Sequence, residues 1–313
     1  MIEHYSALAI GVVCAGIGGE LFVRGSVGLA AWARISPGIV GATVAAFATS
    51  SPELSVSISS AVVGKPQIAL GDALGSNVVN VALILGTALI ISGIQSPRAG
   101  LKRDFPVALL VPIITGVLLL DGQLSRVDGV LMLCVFFAWL AATIIEARRQ
   151  RSAAEEILGA HRLGRAVVYC VLGLILLVAA GYFIVSGARG IAQQFGVGEF
   201  VIGATVVAVG TSVPELATAV IAKLRGHDEV GLGTILGSNI FNGLFVVALA
   251  ATIHPIEIDR RAVVAALVFG IVALACSYPL RDGFIERHRG FILVTLYVIY
   301  VTTVLRMGGS TVS

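Results

Sequence analysis

The sequence predicts an all-α polytopic membrane protein, built from ten transmembrane helices that form two inverted five-helix repeats with the N- and C-termini outside. Three observations lead to this fold class. Of the 313 residues, 57% are hydrophobic and 12% are charged, whereas a soluble domain carries roughly 25% charged residues. Apolar runs long enough to cross a bilayer follow one another along nearly the whole chain. The second half of the sequence also repeats the first half at a constant offset.

Apolar runs of about 20 residues, the length that a helix needs to cross the hydrocarbon core, define the ten predicted helices. The predicted spans are 5–30, 37–62, 68–92, 104–121, 127–146, 165–188, 200–222, 230–252, 260–279 and 289–306. The longest polar stretch follows the fifth span. It divides the chain into a first repeat at 1–146, a hinge loop at 147–164 and a second repeat at 165–313.

The distribution of Lys and Arg predicts the orientation, because cytoplasmic loops of membrane proteins carry an excess of basic residues. With the N-terminus outside, 15 of the 21 basic residues fall in the inner loops. The hinge is then cytoplasmic and both termini lie outside. This sidedness accounts for the net charge of +3 without a nucleic-acid partner. The first apolar run has no basic residue before it, so it is interpreted as a membrane helix and not as a cleaved signal peptide.

The two halves align without a gap over nearly a hundred residues. The matched pairs include Gly11 with Gly173, Gly19 with Gly181, Glu53 with Glu215, Ser76 with Ser238 and Asn80 with Asn242. Because five helices is an odd number, the second copy enters the membrane from the opposite side. Inverted repeats of this kind place binding sites near the bilayer midplane, at interrupted helices. Duplication of a fold explains the matched glycines, but it does not explain an acid kept inside the membrane in each copy.

The motif GATVAAFATSSPEL at 41–54 returns as GATVVAVGTSVPEL at 203–216, and each copy puts a proline and a glutamate inside an apolar run. Pro52 cannot donate a hydrogen bond to the carbonyl of Ala48. Pro214 likewise cannot donate to Gly210. Each helix is therefore expected to kink and to free a backbone carbonyl, which is tolerated in a membrane only where it faces protein or a wet cavity.

The glutamates of this motif are predicted to bind a cation. An ionised carboxylate in the bilayer costs at least about 2.5 kcal/mol and is normally kept for function. A structural salt bridge is the alternative for Glu53 and Glu215, but the chain offers no basic residue at their depth. Thr49 and Thr211 lie four residues before them, on the same helix face. Two carboxylates and a carbonyl from either side would supply six oxygens, which suits Ca²⁺.

A second repeated motif, GDALGSNVVN and GTILGSNIFN, opens the third and eighth helices. Ser76 and Asn80 share one helix face, as do Ser238 and Asn242. These motifs supply only oxygen donors, with no His or Cys, which favours Ca²⁺, Na⁺ or Mg²⁺. Mg²⁺ fits less well because it gives up its water reluctantly. Hydrogen bonding between helices is the alternative role for these four residues.

Two further acids are interpreted as structural. Asp72 lies one turn before Ser76, and its counterpart in the second repeat is Thr234. It is expected to cap a helix or to lie in a first turn, with attraction of cations at an outer mouth as the alternative. Glu20 precedes Arg24 by four residues, which predicts an ion pair at the membrane edge.

The paired motifs resemble the two alpha-repeats of the cation/calcium exchanger superfamily and are most similar to those of prokaryotic sodium/calcium exchangers. The resemblance covers all ten predicted helices. It implies alternating-access antiport of Na⁺ against Ca²⁺ across a cell membrane, the inner or plasma membrane of a prokaryote. Ca²⁺, Na⁺ and membrane lipid are the expected partners, and neither enzyme activity nor a cofactor is expected. A monomer is compatible with this reading, and the oligomeric state stays open.

The resemblance also implies a set of ion ligands. Glu53 and Glu215 would bind both ions, and the backbone carbonyls of Thr49 and Thr211 would complete the calcium shell. The sodium sites would use Ala46, Ser50 and Ser76 from the first repeat and Ala208, Ser212 and Ser238 from the second. Asn80 and Asn242 would flank the middle of this cluster.

Two positions depart from the family pattern. Asn242 stands where potassium-dependent exchangers carry Asp, which argues against K⁺ transport and leaves two carboxylates in the core. Ala48 stands where family members usually have glycine before the threonine, so the packing of the first repeat is expected to differ there.

Charge balance predicts electrogenic exchange, because two carboxylates neutralise one Ca²⁺ and replacement by more than two Na⁺ moves net charge. A Ca²⁺/H⁺ exchanger of the same fold is the first alternative, although that branch resembles a GNxxE pattern and this chain has TSxPE. A cation channel is the alternative from a different class. No segment of the sequence resembles a selectivity filter.

Overall fold

The computed structural model describes residues 2–62, 64, 66–96, 98–153, 163–194, 208–257, 260–279 and 283–309. These residues are almost entirely helical. The helices are α1 (Ile2–Ala33), α2 (Pro37–Thr49), α3 (Ser51–Val62), α4 (Pro66–Ile91), α5 (Arg98–Leu118), α6 (Arg126–Ala153), α7 (Leu163–Gln194), α8 (Ala208–Thr211), α9 (Val213–Leu224), α10 (Asp228–Ile253), α11 (Arg260–Ser277) and α12 (Arg287–Gly309). The strands are β1 (Ile94–Gln95), β2 (Gln123–Leu124), β3 (Ile256–Glu257) and β4 (Phe284–Ile285).

Six helices of the described residues are long and apolar enough to cross a membrane, namely α1, α4, α5, α6, α7 and α10. α2 and α3 pass the same test together as one span that is bent by 44°. α11 contains a shorter apolar segment, Val263–Ser277. The chain is therefore an all-helical, multi-pass membrane protein. The count of ten spans and the side of the termini stay predictions.

The helix boundaries lie within a few residues of the predicted spans at most ends, and they differ most clearly at the hinge. α6 runs to Ala153 and α7 begins at Leu163, so helix occupies both ends of the segment 147–164 that was predicted to be a loop. The end of α6 is polar but contains no glycine or proline, so its residues continue the helix beyond the apolar run. Residues 154–162 and 195–207, which include the start of the predicted span 200–222, lie outside the described residues.

The buried centre of the fold is formed by α4 and α10, which are related by the sequence repeat. Within their apolar stretches 78% and 89% of residues are buried, against 28% in α1 and 22% in α6 and α7. Both central helices widen into a π-helix directly after the GSN motif, at Val79–Leu85 in α4 and at Phe241–Val246 in α10. Such π-helical turns are frequent at functional sites.

α1 and α7 pack closely against each other at the edge of the fold, through glycines on both helices. A Cβ atom at Gly25 would lie 2.6 Å from the backbone nitrogen of Cys170, and one at Gly173 would lie 2.6 Å from that of Phe22. Small residues allow helix backbones to approach this closely in a membrane. The two helices therefore form one tightly packed peripheral pair.

Four short strands connect the two halves of the chain by backbone hydrogen bonds. β1 pairs with β4 in antiparallel fashion, and β2 pairs with β3 in the same way. β1 and β3 occupy matched positions of the two repeats, and so do β2 and β4. Exchange of the repeats therefore converts one strand pair into the other, as a twofold axis between the halves does. The two strand pairs lie at opposite ends of α5, because β1 precedes this helix and β2 follows it.

Candidate ion-binding site

Each proline–glutamate motif breaks its helix at the serine two residues before the proline. Ser50, between α2 and α3, has φ −87° and ψ 12°. Ser212, between α8 and α9, has φ −88° and ψ 10°. A proline removes one hydrogen bond of the preceding turn and its ring crowds that turn, so Pro52 and Pro214 account for the two breaks. The predicted kinks are present, and their backbone conformations are nearly identical.

The carbonyl groups that the prolines free have separate neighbours. The hydroxyl of Ser51 donates a hydrogen bond of 2.7 Å to the carbonyl of Ala48. The carbonyl oxygen of Gly210 lies 3.1 Å from the position of a Cβ atom at Gly181, on α7. A neighbouring serine therefore satisfies the Ala48 carbonyl locally, and the contribution of loose carbonyls to the oxygens of the motif stays a prediction.

Glu215 receives hydrogen bonds from both halves of the molecule. Its side chain is fully buried. Oε1 accepts from the hydroxyl of Ser50 at 3.0 Å and from that of Ser238 at 3.3 Å, whereas Oε2 has no hydrogen-bond partner. Ser50 belongs to the kink of the first motif, so the two motifs meet in space although they are far apart along the chain.

Glu53 is fully buried as well, and both of its carboxylate oxygens lack a hydrogen-bond partner. Ser76 lies beside Glu53, and the hydroxyl of Ser76 also lacks a hydrogen-bond partner. Among the described residues, no Lys, Arg or His forms an ion pair with Glu53 or Glu215. A buried ionised carboxylate normally has a charged partner or coordinates a metal.

Most of the predicted ligands with polar side chains, here called the shell, are buried like the two glutamates. Seven of the predicted ligands are fully buried, namely Thr49, Ser50, Ser76, Asn80, Ser212, Ser238 and Asn242. Several oxygens in this shell have no hydrogen-bond partner, namely Oγ of Ser76 and Ser212 and Oδ1 of Asn80 and Asn242. Buried polar atoms are nearly always hydrogen-bonded in native proteins, and these oxygens are exceptions that a bound cation would account for.

Two asparagines that the sequence-based prediction did not include join the repeats at this shell. The side-chain amide of Asn77 donates to the backbone carbonyl of Asn239, and that of Asn239 donates to the carbonyl of Asn77, both at 3.1 Å. Asn80 donates to Oδ1 of Asn239, also at 3.1 Å. The amide nitrogen of Asn80 thus has the interhelical role that was left open, whereas neither amide atom of Asn242 is bonded. The sequence could have indicated these two residues, since Asn77 and Asn239 are the asparagines of the repeated GSN motif.

The turns that lead into the breaks carry Thr49 and the ligands not yet described, Ala46, Ala208 and Thr211. Thr49 donates its hydroxyl to the carbonyls of Ala45 at 3.0 Å and Ala46 at 3.4 Å. The Ala46 carbonyl also accepts the backbone N–H of Ser50, at 3.0 Å. Ala208 and Thr211 are the first and last residues of α8, and the side chain of Ala208 lies outside the described structure.

The predicted role of Asp72 is wrong, whereas the predicted ion pair of Glu20 is confirmed. Asp72 lies well inside α4, which begins at Pro66, so the predicted cap or first-turn position is wrong. Its Oδ2 is buried without a hydrogen-bond partner, whereas Thr234 at the matched position donates to its own helix at 2.8 Å. Glu20 pairs with Arg24 as predicted and also accepts a bond of 2.8 Å from Arg225, which directly follows α9.

The donor chemistry of this shell suits a hard cation. No group of three or more His, Cys, Asp and Glu side chains comes together in the part of the chain that is described. The shell instead combines two carboxylates with hydroxyl and amide oxygens. Ca²⁺ and other hard cations prefer oxygen ligands of this kind. A buried, oxygen-lined site between the two halves of a multi-pass helical protein is typical of membrane cation transporters.

The family comparison agrees with this class. The family model described as "Sodium/calcium exchanger protein" matches residues 4–145 and 165–306, and the chain belongs to this family of cation/Ca²⁺ antiporters. The family is one of transporters, and its two matched segments coincide with the two halves of the sequence repeat.

Relatives and solved structures are similar over most of the chain. "Inner membrane protein YrbG" of Escherichia coli (strain K12) is 37% identical, over 77% of this chain and 79% of its own. "Uncharacterized membrane protein MJ0091" of Methanocaldococcus jannaschii is 32% identical, over 96% of this chain and 97% of its own. A structure of the sodium-calcium exchanger NCX_Mj soaked with Na⁺ and Sr²⁺ is 29% identical, covers 96% of this chain and 98% of its own, and superposes with a TM-score of 0.83.

Proposed function

We propose that this protein exchanges Na⁺ for Ca²⁺ by alternating access, that the exchange is electrogenic, and that it does not need K⁺. The proposed architecture has ten spans in two inverted repeats, residues 1–146 and 165–313, joined by a cytoplasmic connection within 147–164, with both termini outside. Family membership, the twofold exchange of strand partners and the matched kinks support it.

The observation that carries the proposal is the pair of fully buried glutamates, one from each half, with the hydroxyl of Ser50 linking the first motif to the second glutamate. Glu53 has two unpartnered oxygens and Glu215 has one. Without a basic partner, an ionised carboxylate at this depth is stabilised by a bound cation. Two such carboxylates neutralise one Ca²⁺, or two of the Na⁺ ions that replace it.

The proposed ligands are those implied by the sequence motifs. Ca²⁺ is bound by Glu53 and Glu215, with the backbone carbonyls of Thr49 and Thr211. Na⁺ is bound around the same glutamates by Ala46, Ser50, Ser76, Ala208, Ser212 and Ser238, and Asn80 and Asn242 flank the centre. The unpartnered oxygens of Ser76 and Ser212 support this assignment. Asn242 carries no charge, which supports independence from K⁺.

Uptake of ⁴⁵Ca²⁺ into sodium-loaded proteoliposomes tests the function. The parent protein is expected to take up calcium when an outward Na⁺ gradient is imposed. Glu53→Gln and Glu215→Gln are each expected to reduce uptake at least about a hundredfold, since loss of one buried ion contact costs about 3 kcal/mol or more. Glu257→Gln, at an exposed acid in β3, is the matched control and should transport like the parent. Unchanged uptake in both glutamate variants would contradict the proposal.

A Ca²⁺/H⁺ exchanger is the second candidate, because buried carboxylates without basic partners also bind protons when no cation is present. A pH gradient imposed on sodium-free proteoliposomes separates the two. Calcium uptake driven by the pH gradient alone, at a rate equal to the sodium-driven rate, would favour the proton exchanger.

A further inference from the structure

A groove about 380 Å³ in volume opens at the surface of the molecule, with Arg148 in its lining. It lies between the end of α1, the first turns of α2 and the last turns of α6. Its lining includes Ala33, Ile35, Ile39, Thr43, Ile144 and Arg148. Ile144 is 45% exposed, so the groove is open along α6, a helix that is apolar enough to cross a membrane.

The walls of the groove are mainly apolar, and the hydroxyls of its two threonines are already hydrogen-bonded within their own helices. The hydroxyl of Thr43 donates to the carbonyl of Ile39 at 2.7 Å. The hydroxyl of Thr143 donates to that of Trp139 at 2.9 Å. Water needs polar partners to occupy a cavity, whereas an apolar cavity accepts apolar molecules. The groove therefore suits an acyl chain.

Two arginines that form no ion pair among the described residues belong to the lining of this groove or lie next to it in the chain. Arg148 lines it, and Arg34 lies in the chain between the lining residues Ala33 and Ile35. Within the described ranges, neither arginine forms an ion pair, whereas Arg24, Arg103, Arg225 and Arg289 all do. Unpaired basic side chains at the end of membrane helices attract anionic lipid headgroups.

The backbone at Arg34 supports a role for its side chain. Arg34 has φ 57°, the only positive φ among the non-glycine residues that the structure describes. A left-handed conformation costs a non-glycine residue about 1–2 kcal/mol, and glycine would end α1 here without that cost. A contact made by the guanidinium would offset this cost.

We propose that this groove binds an anionic glycerophospholipid of the adjacent membrane leaflet. One acyl chain lies between α2 and α6, and the headgroup phosphate is held by Arg148 and Arg34. The lipid then contacts α2 at Ile39 and Thr43, on the helix that leads to the break at Ser50. It fills a space that the protein itself leaves unpacked between two membrane helices.

Native mass spectrometry of delipidated protein, titrated with phosphatidylglycerol or phosphatidylcholine, tests the proposal. The parent is expected to bind phosphatidylglycerol at least about tenfold more tightly, and the double variant Arg34→Gln/Arg148→Gln is expected to lose that preference. Ala147→Phe, which fills the groove from α6, is expected to weaken binding of both lipids. Ala33→Phe fills it from α1 and keeps the test valid should Ala147→Phe fold poorly.

Arg165→Gln is the matched control, because Arg165 is exposed at the start of α7 and does not line the groove. It should bind both lipids like the parent. Equal affinity of the parent for the two lipids would overturn the anionic specificity. Loss of preference in Arg165→Gln equal to that in the double variant would show diffuse attraction to basic charge, and unchanged binding in both groove-filling variants would show that the lipid lies elsewhere.

Discussion

Ser50 and Ser212 occupy matched positions in the two motifs and have nearly the same backbone conformation, yet their hydroxyls have different environments. Ser50 donates to Glu215 across the repeat boundary, whereas the hydroxyl of Ser212 has no hydrogen-bond partner. The glutamates differ in the same sense, because the carboxylate oxygens of Glu53 accept no hydrogen bond and Oε1 of Glu215 accepts two. The two halves of the site therefore share residue types but differ in their hydrogen bonding.

This difference predicts unequal effects of two matched substitutions. Ser50→Ala removes a donor from a buried carboxylate and is expected to lower the free energy of unfolding by about 1–3 kcal/mol. Ser212→Ala removes a hydroxyl without a partner and is expected to cost less than about 1 kcal/mol. Thermal unfolding of both variants in detergent, followed by tryptophan fluorescence, measures the difference. Equal loss of stability would contradict the assigned hydrogen bonds.

Asn242 is the other residue whose surroundings suggest a specific change. Asn242→Asp adds a third carboxylate at a buried position where neither amide atom is bonded. It is expected to make calcium uptake depend on K⁺, because the additional charge can bind a further monovalent cation. Uptake of ⁴⁵Ca²⁺ with and without K⁺ measures this.

The matched control is Asn80→Asp, which lies at the equivalent position of the other repeat. Its amide donates to Asn239, so the acid loses that bond and is expected to destabilise the fold without creating K⁺ dependence. Uptake by Asn242→Asp that ignores K⁺ would argue against this interpretation of the position.

At the scale of helices, the apolar runs predicted where the spans lie, but not how they are shaped. The π-helical turns of α4 and α10 follow the GSN motifs, and no property of an apolar run distinguishes them from ordinary α-helix. The extension of α6 to Ala153 was missed for a related reason, since hydrophobicity ends at the membrane surface while helix propensity continues.

The packing of α1 against α7 predicts a large effect from one added methyl group. Gly173→Ala would place a Cβ atom 2.6 Å from the backbone nitrogen of Phe22, and forced overpacking typically costs about 1–3 kcal/mol. Gly16→Ala is the control on α1, because nothing lies within 4 Å of a Cβ atom there. Thermal unfolding should show a marked loss of stability for the first variant and none for the second. Similar midpoints would contradict this interface.

At the scale of the whole molecule, much of the fold and the core of the site could be predicted because both halves of the sequence carry the same motifs. The recurrence of Glu53 at Glu215 indicated both the repeat and the buried acids. What could not be predicted are contacts that depend on the exact approach of two helices, such as the reciprocal bonds of Asn77 and Asn239. The cap on Ala48 was missed because Ser51 has no counterpart in the second motif, where Val213 stands.

Net charge movement is the property of the whole transport cycle that the two-carboxylate site predicts. Exchange of more than two Na⁺ for one Ca²⁺ moves charge with sodium, so an inside-positive potential should increase calcium uptake into sodium-loaded vesicles. Each moved charge contributes about 2.3 kcal/mol per 100 mV. Uptake at potentials set by K⁺ and valinomycin measures this, with protein-free liposomes as the control. Rates that ignore the imposed voltage would show that the cycle is electroneutral.

The paired strands limit how this molecule can deform. At both ends of α5, a loop of the first half is hydrogen-bonded to a loop of the second half, through the pairs β1–β4 and β2–β3. A hinge motion that separates the two halves would break the backbone hydrogen bonds of these strand pairs. A rearrangement that opens the interior and keeps these strand pairs must therefore take place among helices that they leave untied, and the closely packed pair α1 and α7 belongs to those helices.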